Sequence, residues 1–217
     1  MFERTIIFGD VKPDYLLIQC VGEQDLPLLK TEYSKIRDEV KRSFMLVALL
    51  CNDWNAELSP WEAPAVFGNE SFSGQAEATL NEIEKITLPF IESRYLAQDA
   101  KLVIGGYSLA ALFALWCGYV TDTFDAVAAA SPSVWFDGWL DFIASNKFKA
   151  KSVYLSLGDQ EENTKNRRLS AVGKNINLQR EAFMREGIDC RFKINTGGHF
   201  SHPELRCARA FINIMNK

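Results

Sequence analysis

Residues 101–111 read Lys-Leu-Val-Ile-Gly-Gly-Tyr-Ser-Leu-Ala-Ala, and they require a strand to become a helix within a single residue. The apolar run before the glycines has strand character, and residues 109–116 are strongly helix-forming. A serine in so tight a turn takes a strained backbone. Bulky side chains two positions before or after it would collide with the strand and the helix. Gly106 and Ala110 occupy those positions. The strain leaves the hydroxyl of Ser108 clear at the end of a sheet, over the start of a helix. The pattern Gly-x-Ser-x-Ala differs by one methyl group from the Gly-x-Ser-x-Gly of a nucleophile elbow.

The rest of the chain alternates in the same way. Residues 15–21, 44–51, 102–104, 126–130, 153–157 and 190–194 are short apolar runs that read as buried strands. Between them, residues 28–42, 74–95, 109–120, 137–146, 164–186 and 203–215 carry helical spacing, the fifth of these ending at Gly187. In residues 74–95 the expected buried stripe is Ala78, Ile83, Ile86 and Phe90. Residues 52–73, with Pro60, Pro64 and Gly68, read as a long irregular loop, and the residues up to Val11 as an edge strand. Apolar strands separated by helices predict an α/β fold with a mostly parallel twisted sheet covered on both faces. No repeat or linker divides the 217 residues, so residues 1–217 read as one domain. In such a sheet ligands bind in the loops at the carboxyl ends of the strands.

Composition narrows the function classes. A net charge of −4 without a basic block argues against nucleic acid as a partner. The longest apolar run, residues 44–51, is too short to span a bilayer, and residues 1–5 lack the features of a signal peptide. Cys20, Cys51, Cys117, Cys190 and Cys207 are odd in number and widely spaced, as expected of reduced thiols in a cytoplasmic protein. His199 and His202 are the only histidines and no cysteine cluster accompanies them, so neither a metal site nor a cofactor is expected.

A serine hydroxyl is a poor nucleophile at neutral pH and needs a base, which in turn needs a partner to orient it. Both histidines lie after the last strand, in Thr-Gly-Gly-His-Phe-Ser-His (residues 196–202). The glycines allow that loop a sharp bend and a close approach to other backbone, so His199 is the expected base. His202, just before Pro203, is expected near a helix start in solvent. The acid belongs between serine and histidine in chain order. There the sequence offers Asp159, Glu161 and Glu162.

Four segments together resemble the serine esterases of the α/β-hydrolase superfamily, and within it the group that includes esterase D and the enterochelin esterases. They are Gly-Gly-Tyr-Ser-Leu-Ala-Ala (residues 105–111), Ala-Ser-Pro-Ser-Val-Trp (130–135), Leu-Gly-Asp-Gln-Glu (157–161) and Gly-Gly-His (197–199). The resemblance implies an α/β-hydrolase fold and a cofactor-free ester hydrolase working through an acyl-enzyme. It implies Glu161 as the acid, by a Gly-x-x-Glu spacing from Gly158, with Asp159 next. It also implies an oxyanion hole made by the backbone N–H of Leu109 and one from Gly22 or Glu23. The chain is short for this group, with no insertion large enough for a separate cap domain. Loops must then wall the pocket. Trp54, Trp61, Trp135 and Trp139 lie in those loops, with Trp135 and Trp54 the pocket candidates. Apart from the region after Glu162, little Arg or Lys in the post-strand loops argues against a catecholate or phosphate substrate. The expected partner is a small-molecule ester. An acyltransferase on the same triad, a non-catalytic binding protein on this scaffold, and a homodimer all remain open.

Overall fold

The computed structural model describes residues 5–66, 68–95 and 97–216. β1 (Thr5–Gly9) and β2 (Tyr15–Val21) lead into a short 3-10 segment (Glu23–Leu28), α1 (Leu29–Glu39) and β3 (Phe44–Leu50). The long loop that follows holds α2 (Trp54–Glu57) and a small hairpin, β4 (Glu62–Ala63) with β5 (Phe72–Ser73). A helical stretch comes next as α3 (Ala76–Glu82), a π turn (Ile83–Thr87) and α4 (Leu88–Tyr95). The remainder alternates: β6 (Lys101–Tyr107), α5 (Leu109–Val120), β7 (Ala126–Ala130), α6 (Trp139–Ser145), β8 (Ser152–Gly158), α7 (Arg167–Ser170), α8 (Val172–Arg185), β9 (Asp189–Asn195) and α9 (Pro203–Met215).

Seven strands form one sheet in the order β1-β3-β2-β6-β7-β8-β9. All neighbours pair in parallel except β1, which runs antiparallel to β3 at the edge, from Thr5 opposite Leu49 to Gly9 opposite Met45. The expected amino-terminal edge strand is therefore present. Met1 to Arg4 lie outside the described residues. Every residue of β2, β3, β7 and β8 is buried, which is why those runs carry no polar alternation. One face is covered by α3, α5, α6 and α8, through residues such as Leu80, Leu112, Phe113, Trp139 and Phe183. The other is covered by α1 and α9, through Ile36, Phe211 and Met215. This is the compact α/β-hydrolase architecture, and among the described residues no separate cap stands over the sheet. No helix among them is long and apolar enough to cross a membrane.

Two expectations about helices are corrected. The stretch before β6 buries Ala76, Thr79, Leu80, Ile83, Thr87, Leu88 and Ile91, while Ala78 is exposed and Ile86 and Phe90 stand 46% and 43% exposed. Pro89 has no N–H to give to the turn before it, and the ladder widens there into the π turn. Residues 164–186 form two helices rather than one, joined at Ala171. Gly187 closes the second with φ +70°, and the N–H groups of Gly187 and Ile188 return to Met184 and Phe183.

Candidate active site

Ser108 is the single residue between β6 and α5, and its backbone sits at φ +57°, ψ −118°. For a residue with a Cβ that conformation costs on the order of 1–3 kcal/mol, so the surroundings must impose it. They do so by three bonds: Ser108 N–H donates to Ala130 O at 3.2 Å, and Ser108 O accepts from Ser133 N at 3.1 Å and Leu112 N at 3.1 Å. The demand for small neighbours is also visible. A Cβ on Gly106 would lie 2.8 Å from the Cβ of Ala110, and one on Gly105 would lie 2.6 Å from Phe211.

The loop after β9 turns at Gly197, with φ +98°, and carries His199 back over the elbow. His199 Nε2 lies 2.9 Å from Ser108 Oγ, and His199 Nδ1 lies 2.7 Å from Glu161 Oε2. Glu161 comes from the loop after β8 and its side chain is 3% exposed. Its other oxygen accepts from Gly158 N–H (2.6 Å), the Ser131 hydroxyl (2.8 Å) and Arg206 Nη1 (2.8 Å). Burial pushes this carboxyl up, but the His199 hydrogen bond and charge, the Ser131 hydroxyl and the Gly158 N–H outweigh it and hold the carboxyl below its ordinary value. An ionised Glu161 makes Nδ1 of His199 the donor, which leaves Nε2 to accept the Ser108 proton.

Among the three carboxylates after β8, Glu161 is the one brought to His199. Asp159 is exposed and accepts from Gly197 N–H at 2.8 Å, so it fixes the histidine loop from outside. Glu162 is exposed and lies over Gly173, with Oε2 1.9 Å from where a Cβ would stand. His202 caps α9 in a left-handed conformation with its side chain 77% exposed.

Leu109 opens α5, so its N–H is one of the orphan donors of a helix start, beside Ser108. Gly22 requires a correction. Its N–H donates to Asp25 Oδ2 at 2.9 Å and its carbonyl accepts from Asp25 N–H, closing the 3-10 segment on itself. It is therefore not free to hold an oxyanion, whereas the N–H of Glu23 follows it in the chain at the start of that segment.

A cavity of about 540 Å³ opens beside Ser108 and His199, and Trp135 is part of its wall. Trp54 stands elsewhere, and this corrects its assignment. It packs against the core on the α3 and α5 face and lines a much smaller cavity with Gln19, Glu32, Tyr107 and Glu204. Trp139 is core, bonded through Nε1 to Gln179, and Trp61 stacks on it while donating to Asp137 O. Among the described residues no cluster of three or more His, Cys, Asp or Glu could hold a metal ion.

Three residues of this site were not foreseen from the sequence. Arg206 on α9 is 2% exposed and touches Glu161, Ser131 and Tyr107 through Nη1, and Thr196 O and Gly198 O through Nη2. Tyr107 donates its hydroxyl to His199 O at 2.6 Å, and burial pushes that phenol up to about 12, so it stays a donor. Ser133 places its hydroxyl 3.3 Å from Ser108 Oγ. One signal was available for Arg206: it is a lone cation on the face of α9 that otherwise buries Cys207, Ala210 and Phe211.

The chain matches the family described as "Putative esterase" over residues 24–202. Among solved structures it is similar to the siderophore hydrolase EstA from Aspergillus nidulans, with 15% identity, 98% of this chain and 94% of that one covered, and a TM-score of 0.73. An IroE-like serine hydrolase from Shewanella oneidensis gives 16% identity, 98% and 75% coverage and a TM-score of 0.76. The enterobactin and salmochelin hydrolase IroE gives 16% identity, 97% and 85% coverage and a TM-score of 0.72. No curated protein matches the sequence.

Proposed function

We propose that this chain, which belongs to that esterase family and is an ester hydrolase, cleaves carboxylic esters through a Ser108–His199–Glu161 triad and an acyl-enzyme. The observation that carries the reading is the continuous hydrogen-bonded line from Glu161 through both ring nitrogens of His199 to a strained, exposed-end serine. Ser108 Oγ attacks the ester carbonyl as His199 Nε2 takes its proton. Glu161 holds the ring in the required tautomer and balances the imidazolium charge. The N–H groups of Leu109 and Glu23 receive the negative oxygen of the tetrahedral intermediate, with the N-terminus of α5 favouring that charge. His199 then gives the proton to the leaving alcohol. Water, activated by the same nitrogen, attacks the acyl-enzyme, releases the acid and restores Ser108.

The test is covalent labelling. A fluorophosphonate probe is expected to modify Ser108 in the full chain, and Ser108→Ala to abolish both labelling and ester turnover. Removing the serine or the histidine of a hydrolase triad costs up to about six orders of magnitude in kcat. Folded wild-type protein that stays unlabelled would overturn the triad.

A further inference from the structure

The 540 Å³ cavity is within the range of small-molecule sites, and the chemistry of its wall is one-sided. Pro132 and Trp135 come from the loop after β7, Leu169 and Val172 from α7 and α8, and Phe200 from the histidine loop. Trp135 is backed by Phe72 and Phe136, with ring centroids 6.3 and 6.4 Å away, so this wall is formed before anything binds. Phe200 stands 88% exposed beside His199, an apolar ring left in water at the cavity mouth. Gln160, Asn163 and Thr164 supply neutral polar groups at the rim. The ionisable groups that line it are His199 and Glu161, and they bond each other. Arg168, the nearest cation in sequence to Leu169, turns away to Pro64 O, Ala65 O and Asp137.

The sheet order separates the oxyanion side of the site from the side on which this cavity opens. β2 and its loop lie on one side of β6, with β7 and β8 on the other. The carbonyl oxygen faces the β2 side and the Leu109 N–H, and the ester oxygen must reach His199 Nε2. The remaining direction, over β7 and β8, leads into the cavity. We propose that this cavity is the acyl site and that the substrates are esters of uncharged, extended apolar acids, with room for a neutral hydrogen-bonding group at the far end. The inference rests on Ser108 as the nucleophile. It excludes acyl groups that carry a carboxylate or catecholate charge, because an unpaired anion against this wall would lose its hydration without gaining a partner.

The test uses the full chain and p-nitrophenyl esters of acetate, butanoate, hexanoate and octanoate, with the monoester of adipate as a charged counterpart of hexanoate. At the burial free energy of a methylene, four added methylenes are worth up to about two hundredfold, so kcat/KM is expected to rise at least about tenfold from acetate to hexanoate. The adipate monoester is expected to fall at least about tenfold below hexanoate. Leu169→Trp fills the cavity and is expected to lower the hexanoate-to-acetate ratio. Leu169→Lys places a cation in the wall and is expected to raise the adipate-to-hexanoate ratio about tenfold, a gain that misfolding cannot produce. A flat chain-length profile, an adipate ester turned over as well as hexanoate, or selectivity that follows the alcohol arm would each overturn the acyl site, provided Ser108 is labelled. Failure of every ester together with an unlabelled Ser108 would instead overturn the nucleophile, and the acyl site with it.

Discussion

Arg206→Met removes the group on which the loop of Glu161, the loop of His199 and the strand before Ser108 converge. The guanidinium donates to Glu161 Oε1 at 2.8 Å, to the Ser131 and Tyr107 hydroxyls at 3.1 Å, and to Thr196 O and Gly198 O at 3.2 and 3.0 Å. Breaking a buried ion pair from one side costs about 3–5 kcal/mol, because the other charge stays behind. Glu161 keeps three other donors, so the lower end, about 3 kcal/mol, is expected at neutral pH. That is a large share of the roughly 5–15 kcal/mol that holds a domain folded, yet not all of it. The pH dependence follows from Glu161. Its folded carboxyl lies below its ordinary value, so it contributes stability that is present above the unfolded value of about 4.3 and is lost as pH falls through the folded value. The guanidinium 2.8 Å from Oε1 is a positive charge that favours the ionised form, so its removal is expected to move the folded value up. The gap between wild type and variant is therefore widest at neutral pH and narrows in acid. Urea unfolding followed by tryptophan fluorescence at neutral pH and near pH 4 measures it. Turnover of the folded variant is expected to fall about a hundredfold, the cost of moving a reacting group by about 1 Å. Arg206→Lys keeps the charge but not the planar fork, and is expected to recover part of the stability and less of the turnover. A gap below about 1 kcal/mol, or one that ignores pH, would refute the reasoning and leave Arg206 as a packing group.

Glu161→Gln is expected to reduce ester turnover far more than Asp159→Asn, since Asp159 only braces Gly197; the reverse ranking in steady-state assays would reassign the acid. Gly158→Ala is expected to cost most of the activity while the sheet survives. A Cβ there would lie 2.3 Å from Gly197 O and 3.0 Å from Arg206 Nη1, so the loops that carry Glu161 and His199 must separate; unchanged turnover would contradict this. Glu32 is buried with Oε1 unpartnered, and burial pushes its carboxyl up to about 8. An acid with a raised folded value destabilises as pH rises from its unfolded value of about 4.3 to the folded one, here by a few kcal/mol. Glu32→Gln is expected to flatten that decline between pH 5 and pH 9, and parallel unfolding curves for the two proteins would refute it.

Much of the fold was legible because its signals are local. Steric demand around Ser108 is set by residues two positions away, and the unbroken apolar runs of β2, β3, β7 and β8 record burial on both faces without any knowledge of their partners. The two glycines before His199 likewise announce a sharp bend from sequence alone. Beyond Ile83 the buried positions are Thr87 and Ile91 rather than Ile86 and Phe90, because the π turn at Ile83–Thr87 adds a residue to the ladder before Pro89, a shift that uninterrupted helical spacing does not contain.

The chain by itself determined a parallel α/β sheet, a serine at a strained elbow, and a histidine on a loop able to reach it. Tertiary structure decided what depends on approach between distant segments. It chose among three carboxylates, because Gly158 lets the acid loop come up to Gly197 and turns Glu161 inward. It withdrew Gly22, because a carboxylate three residues on claims its N–H. It brought Arg206 across from α9 to hold both loops, and moved Trp54 away from the cavity that Trp135 lines. Local sterics and periodicity are written within a few residues of chain. Which polar group meets which is settled only when segments 91 residues apart, such as Ser108 and His199, share one hydrogen-bonded line.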